Sequence, residues 1–294
     1  MNKQVLIQSE LSLSEVEVTR WRYNQVAESR LSQAKDKVAE EVPIALVYNG
    51  VSHAVMLATP QDLEDFALGF SLSEGVLQNK GDLYDVEIVM QPQGVELHLN
   101  IATECFVKLK ERRRSLVGRT GCGLCGAESL EQALRLTERP PTKVLDFAKN
   151  TNPSINAASS LVVNASSIVA AFHVIQTKQV LQQATGATHA CAWVDLSGEV
   201  QLLREDVGRH NAMDKLIGAL AKTPQSTDGF VLTSSRASVE MVQKVAIAGY
   251  NILAAISAPT GLAIRVAEAY GVTLVGFLRK NQFVIYTNAA RIKP

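Results

Sequence analysis

Three short apolar segments in the second half of the chain, Phe230-Val231-Leu232-Thr233, Ile252-Leu253-Ala254-Ala255 and Thr273-Leu274-Val275-Gly276, begin 22 and 21 residues apart. That spacing suits one strand, a turn and one helix, so the pattern reads as consecutive βα units. Each of the first two is followed by a Ser/Thr-rich turn and a helical stretch. Strands apolar on both faces and separated by helices imply a mostly parallel sheet covered on both sides. Upstream, the pattern predicts a helix from about Ser166 to Gln183, a strand from Thr188 to Val194 and a turn at Ser197-Gly198. A strand from Glu199 to Leu203 and a helix from about His210 to Leu220 follow. Residues 151–294 are thus expected to form an α/β domain.

The first half reads differently. After a polar, charge-mixed start, Val42–Tyr48 and Val51–Leu57 flank Asn49-Gly50, a dipeptide suited to a tight hairpin turn. Thr59 can cap a helix, Pro60 fits its first position, and Leu63, Phe66, Ala67 and Phe70 recur at helical spacing before Gly75. Val86–Met90 and Val95–Leu99 read as a second strand pair. A basic run then leads into a glycine-rich loop, and the proline-containing stretch from Arg139 to Ser154 has the composition of a linker. Residues 1–150 are expected to be a smaller α+β domain carrying that loop and linker.

Lys+Arg and Asp+Glu both number 29, so no overall field draws the molecule to a polyanion, and nucleic-acid binding is not expected. The most apolar stretch, Val245–Val266, is interrupted by Gly249, Asn251, Ser257, Pro259 and Gly261, which fits a buried strand between helices and not a membrane span. The N-terminal ten residues carry only a three-residue apolar run and no small-residue cleavage site. Four cysteines without an export signal suggest a reducing compartment, with the cytoplasm as the expected location.

The chemistry-bearing segment is Arg119-Thr120-Gly121-Cys122-Gly123-Leu124-Cys125-Gly126, preceded by Lys108, Lys110, Arg112, Arg113 and Arg114. A thiol reacts as its thiolate, and nearby positive charge favours that form. Flanking glycines leave the backbone free to carry a sulfur between a donor and an acceptor. Cys122 and Cys125 could instead hold zinc with ligands recruited from afar, form a redox pair, or be tolerated in a loop. Cys105 and Cys191 sit in apolar surroundings and read as core.

Arg204-Glu205-Asp206-Val207-Gly208-Arg209-His210 marks a strand end running into a helix start, where an anion finds backbone donors, with Arg209 and His210 adding to them. A capped helix with Asp206 as acceptor and exposed basic residues explains the same run. Thr233-Ser234-Ser235-Arg236-Ala237-Ser238 and Ser257-Ala258-Pro259-Thr260-Gly261 occupy the same position after the next two strands. Three such turns at one sheet edge predict a shared ligand crevice.

With these residues in view, the chain resembles the FdhD family, sulfur carrier proteins required to make active formate dehydrogenase. The resemblance rests on Glu40 to Gly50, on Phe66-Ala67-Leu68-Gly69-Phe70 with Ser73-Glu74-Gly75, and on Gly118 to Gly126. It continues through Glu205 to Lys215, Ser234 to Ser238 and Gly276-Phe277-Leu278-Arg279. It implies a C-terminal domain similar to the three-layer cytidine deaminase fold, although no His-x-Glu or Pro-Cys-x-x-Cys zinc signature follows Asp206 or Ser235. It implies that Cys122 takes persulfide sulfur from a cysteine desulfurase and delivers it to molybdenum bis(molybdopterin guanine dinucleotide) for the formate dehydrogenase apoprotein. Cys125 would assist as second carrier or resolving thiol. The cofactor-binding segment corresponds to Phe277, Leu278, Arg279, Lys280, Asn281 and Gln282, with phosphates near Arg236, Arg209 and Arg279 and with Ser235 and His210 beside them. A guanine nucleotide such as GDP would mimic the cargo, and a homodimer fits the family habit. The alternatives are a non-catalytic molybdenum cofactor chaperone and a zinc-binding regulator.

Overall fold

The structure, a computed structural model, describes residues 12–23, 30–114, 161–223 and 228–294. Cys122, Cys125 and the expected boundary between residues 150 and 151 lie outside the described residues.

The polar start, assigned no element from sequence, contains two strands, β1 (Leu13–Arg22) and β2 (Arg30–Ala39), paired antiparallel with each other only. Their alternation joins charge to charge, as in the 2.8 Å Lys35–Glu15 bridge, so no apolar stripe announced them. Next come β3 (Val42–Tyr48), β4 (Val51–Ala58), α1 (Leu63–Ser73), β5 (Leu83–Gln91) and β6 (Gly94–Ile101). The four strands form a sheet in the order β4-β3-β6-β5. Asn49 and Gly50 both adopt positive φ, 45° and 79°, the geometry that made this dipeptide a hairpin signal. The helix cap differs from expectation: α1 begins only at Leu63, its N-cap is Asp62, and Thr59 is drawn into contacts with the second half of the chain.

After α2 (Thr103–Arg114), the second half runs β7 (Val163–Asn164), α3 (Ala165–Lys178), α4 (Val180–Thr185), β8 (His189–Asp195), β9 (Val200–Asp206) and α5 (Arg209–Lys222). It continues with β10 (Gly229–Thr233), α6 (Val239–Ile247), β11 (Ile252–Ala255), α7 (Gly261–Ala269), β12 (Thr273–Arg279), β13 (Gln282–Ile285) and β14 (Ile292–Lys293). The single helix expected over 166–183 is two, divided at Gln179, whose φ of −80° and ψ of 81° are not helical.

The main sheet has the order β13-β12-β11-β10-β8-β9. It is mixed, which corrects the expectation of a mostly parallel sheet. Only β10, β11 and β12, joined by helical crossovers, run parallel. The turns at Ser197-Gly198 and Lys280-Asn281 make hairpins, and a hairpin forces antiparallel pairing of β8 with β9 and of β12 with β13. β8 also pairs antiparallel with β10. Both faces are covered, as expected for doubly apolar strands. Ala190, Ala192, Phe230, Leu232 and Ala254 pack with α3 residues Ile168, Ala171 and Ile175. Their neighbours Cys191, Trp193, Val231 and Leu253 join a second cluster with α5, α6 and α7.

That second cluster continues without a break into the first half, through α1 and the inner faces of β3 and β6. The junction is α1 against α5. A Cβ placed on Gly69 would lie 1.7 Å from the Asp214 carbonyl oxygen, and one on Gly218 would lie 1.9 Å from that of Asp65. Both positions need glycine because backbone meets backbone. A buried ionic group reinforces the seam: Lys244 on α6 donates to Ser73 at 2.8 Å, Asp214 at 2.8 Å and Glu74 at 3.0 Å. Burial alone would lower the Lys244 pKa; Asp214 and Glu74 reverse that and hold the ammonium charged.

Candidate functional site

Strand directions bring the predicted crevice residues to one edge of the main sheet. Thr233 pairs with Cys191, and His189 pairs with Asp206, so the start of β8 and the ends of β9 and β10 coincide. The parallel strands β11 and β12 end on the same side, and Arg279 pairs with Gln282 across the β12–β13 turn. Arg209, His210, Ser235, Arg236 and the segment from Phe277 to Gln282 therefore share that edge.

The acidic part of the 204–210 run is architectural. The Glu205 carboxylate accepts from the backbone N–H groups of Leu181 and Gln182, at 3.0 and 2.9 Å, and so satisfies the first turn of α4. Asp206 is saturated: Oδ1 accepts from Gly208 N and Asn211 Nδ2, and Oδ2 from Thr59 N and the Lys215 ammonium. The Lys215–Asp206 pair is 2.6 Å long with both side chains fully buried. Lys215 also donates to the Thr59 carbonyl at 2.9 Å, so the first half of the chain is clasped to the end of β9. Arg204 is bonded to Asp65 on α1.

Arg209 and His210, the first two residues of α5, are the opposite case. Arg209 Nε and His210 Nε2 are buried atoms without a hydrogen-bond partner. Leaving such an atom unsatisfied costs about 1–3 kcal/mol. Burial pushes His210 down to about 4, assisted by Arg209 and Lys244 and opposed by Glu240 and Glu74. His189 is also lowered, first by burial and then by Arg209. Both rings are neutral at neutral pH, and the positive charge of Arg209 contributes to keeping each so.

A stability consequence follows from His210. Its folded pKa lies below the ordinary 6.5, so the unfolded chain takes up the proton first as pH falls. Stability contributed by the neutral ring is present above 6.5 and is lost as pH drops toward 4. Between pH 7.5 and 5.0 the loss should be about 1 kcal/mol after discounting for the exposed part of the ring. Urea denaturation of wild type and His210→Gln at the two pH values measures it: the variant should lose less stability on acidification by that amount.

The remaining predicted residues divide by orientation. Ser235 is buried, and its hydroxyl donates to the Arg236 carbonyl and shares a 3.0 Å hydrogen bond with Thr233. Arg236 is exposed. Leu278 is fully buried in the core cluster on the α3 side of the sheet. Arg279 donates to the carbonyls of Ile256 and Leu278. Lys280, Asn281 and Gln282 are exposed at the turn. Phe277 is 43% exposed and holds φ at 51°, beside a register shift in the β12–β13 pairing. An exposed aromatic in a left-handed conformation within a strand is an outlier of the kind found at ligand sites.

Beside Ser238 of the predicted Thr233–Ser238 turn, one residue the sequence reading passed over, Glu240, belongs to the same edge. Ser238 occupies the N-cap position of α6 but makes no capping bond, and Glu240 lies in the first turn with its Oε2 3.9 Å from His210 Nε2. Ser238-Val239-Glu240 reads as an ordinary helix start, which concealed Glu240. Cys105 and Cys191 are buried as expected, and burial pushes the Cys191 thiol up to about 12. Neither is a candidate nucleophile. Among the described residues no three His, Cys, Asp or Glu side chains group as metal ligands, and no helix is long and apolar enough to cross a membrane.

The solved structure of a protein from Desulfotalea psychrophila, described as a formate dehydrogenase accessory protein, superposes with a TM-score of 0.70 at 22% identity, covering 95% of this chain and 99% of that one. Its likeness is one of fold. Sulfur carrier protein FdhD of Cupriavidus necator is 53% identical over 277 residues, 94% of this chain and 88% of that protein. The proteins of the same name from Bordetella petrii and Xanthomonas euvesicatoria are 50% and 47% identical, covering 88% and 90% of this chain and 87% and 88% of theirs. The pattern of the FdhD/NarQ family matches residues 39–293, a span that takes in the clasp, the sheet edge carrying Arg209 and Arg279, and Cys122 and Cys125, and the chain belongs to that family.

Proposed function

We propose that the chain is a carrier-type sulfurtransferase that supplies sulfur to the molybdenum cofactor of formate dehydrogenase. The Cys122 thiolate attacks the outer sulfur of a cysteine desulfurase persulfide, forming a Cys122 persulfide and releasing the desulfurase thiolate. Attack by the Cys125 thiolate on the inner sulfur then forms a Cys122–Cys125 disulfide and expels sulfide toward the metal; a cellular dithiol restores the pair. In the other form of the reading, Cys125 is a second carrier. The cargo, bis(molybdopterin guanine dinucleotide), lies along the crevice edge, its phosphates toward Arg209, Arg236 and Arg279 and its guanine end near Phe277. The working form is a cytoplasmic homodimer, and the second-half fold is of the cytidine deaminase type without deaminase chemistry.

The observation that carries this reading is the convergence of Arg209, His210, Phe277 and Arg279 on one sheet edge in a chain whose relatives are named sulfur carriers. Intact mass spectrometry after incubation with a cysteine desulfurase and cysteine tests it. A reducible gain of one sulfur atom, mapped to the loop, is expected. No gain on Cys122 or Cys125 ends the proposal. Cys122→Ala serves as the control: a carrier keeps guanine-nucleotide binding and loses formate dehydrogenase activation, whereas a chaperone keeps both. A zinc regulator would instead purify with stoichiometric zinc that is lost on replacing either cysteine.

A further inference from the structure

The β1–β2 ribbon ends in side chains that the described residues leave largely uncovered. Trp21 and Leu31 are direct cross-strand partners and so lie on one face, Tyr23 leans against Trp21 with ring centroids 5.8 Å apart, and all three are more than half exposed. Arg20 and Arg22 are exposed on the opposite face. Further down that opposite face Val18 and Ala34 are half-buried, and β2 packs against α4, so the middle of the ribbon is supported and its tip is not. Ten residues per strand carry the tip about 33 Å from the base. A two-stranded hairpin alone in water is marginal, and an aromatic cluster rimmed by charge marks a contact surface.

The same chain carries a surface that answers it. The sheet β4-β3-β6-β5 turns Ile44, Leu46, Leu97 and Leu99 inward to the core shared with α1. By strand alternation Pro43, Val55 and Leu57, and across the sheet Glu96 and Glu87, point the other way. Pro43 is exposed and Val55 and Leu57 are more than half exposed, so an apolar patch lies open beside two carboxylates. The ribbon tip offers the counterpart in both respects: an apolar cluster with two arginines beside it.

We propose that in a dimer of this chain the ribbon tip of each copy seats on the outer face of the other's small sheet. Trp21, Tyr23 and Leu31 cover the partner's Pro43, Val55 and Leu57, while Arg20 and Arg22 bend round the open edge of the ribbon toward the partner's Glu96 and Glu87. Both surfaces belong to one chain, so a two-fold axis makes the contact twice and closes the assembly. Two aromatics and a leucine at each tip, with the surface they cover, bury on the order of 1,200 Å² over the two contacts, the lower end for a specific interface. The contact rests on the homodimeric working form proposed above and assigns its surfaces. It also reaches the crevice edge: the Leu57 carbonyl accepts from Asn211 at 2.8 Å, two residues beyond Arg209, so each copy sets aromatic side chains beside the start of the other's α5.

Sedimentation velocity of the full chain over a concentration series tests this. Trp21→Ala with Leu31→Ala should weaken the dimer roughly 30-fold or more, and Val55→Asp comparably, each with a melting temperature near that of the wild-type monomer. Mixing those two variants should restore association beyond either alone, because the mixed pair keeps one intact tip on one intact face. Arg20→Glu with Arg22→Glu should weaken the dimer several-fold, and adding Glu87→Arg and Glu96→Arg in the same chain should recover most of the loss. A dimer that survives both the tip and the face substitutions overturns this interface and leaves the homodimer standing. Dissociation by one set without the other overturns it as well. A wild type that is monomeric at every concentration removes both.

Discussion

An Asp206→Ala variant should lose about 3–5 kcal/mol of folding stability, a large part of what a domain of this size possesses. The reason is the ammonium left behind. Lys215 is fully buried, and Asp206 and the Thr59 carbonyl are its described partners, so deletion of the carboxylate strands a charge in the core. Gly208, Asn211 and Thr59 also lose hydrogen bonds to Asp206. Urea denaturation should show the transition midpoint displaced strongly to lower denaturant. Removing the charge as well, in Asp206→Ala with Lys215→Met, should recover part of the loss, because an apolar replacement leaves no ion to solvate. If the single variant were as stable as wild type, the clasp between the two halves of the chain would contribute nothing.

Gly218→Val should be nearly as damaging, at about 3 kcal/mol or more. Its Cβ would stand 1.9 Å from the Asp65 carbonyl oxygen, a clash with backbone that no side-chain rotation relieves. The helices must part, and α1 and α5 would give up buried contacts along their length, including those of Phe66, Ala67, Leu216 and Ile217. Because α5 opens on Arg209 and His210, the variant should also weaken guanine-nucleotide binding in whatever fraction remains folded. Thermal melting and calorimetric titration on the same preparation separate the two effects. A melting temperature within a degree or two of wild type would mean the seam is looser than its geometry implies.

Much of this was legible in the sequence because it depended on local rules. The βα spacing placed β10, β11 and β12, and Asn49-Gly50 placed the first hairpin. Apolar alternation identified β3 to β6. What escaped were features decided at a distance. The β1–β2 ribbon buries little, so its strands carry no apolar signature. Thr59 looked like a helix cap, but Asp206 and Lys215, some 150 positions away, claim it. Glu205 and Asp206 stood in a run that read equally as an anion site or a capped helix, and their hydrogen bonds show these two to be framework. The mixed pairing of the main sheet was hidden for a similar reason: an apolar strand reads the same whichever way its neighbour runs. Glu240 was brought near His210 only once α5 and α6 were side by side.

Phe277 brings two demands into conflict at one position. Its φ of 51° suits glycine, and holding a larger residue there costs about 1 kcal/mol. Yet glycine would remove the ring that the strand margin presents to solvent. Selection for sturdiness alone would favour the smaller residue. If the margin holds the proposed cargo, the backbone at this point trades comfort for use, and stabilising changes sought elsewhere in the chain would do well to leave it alone.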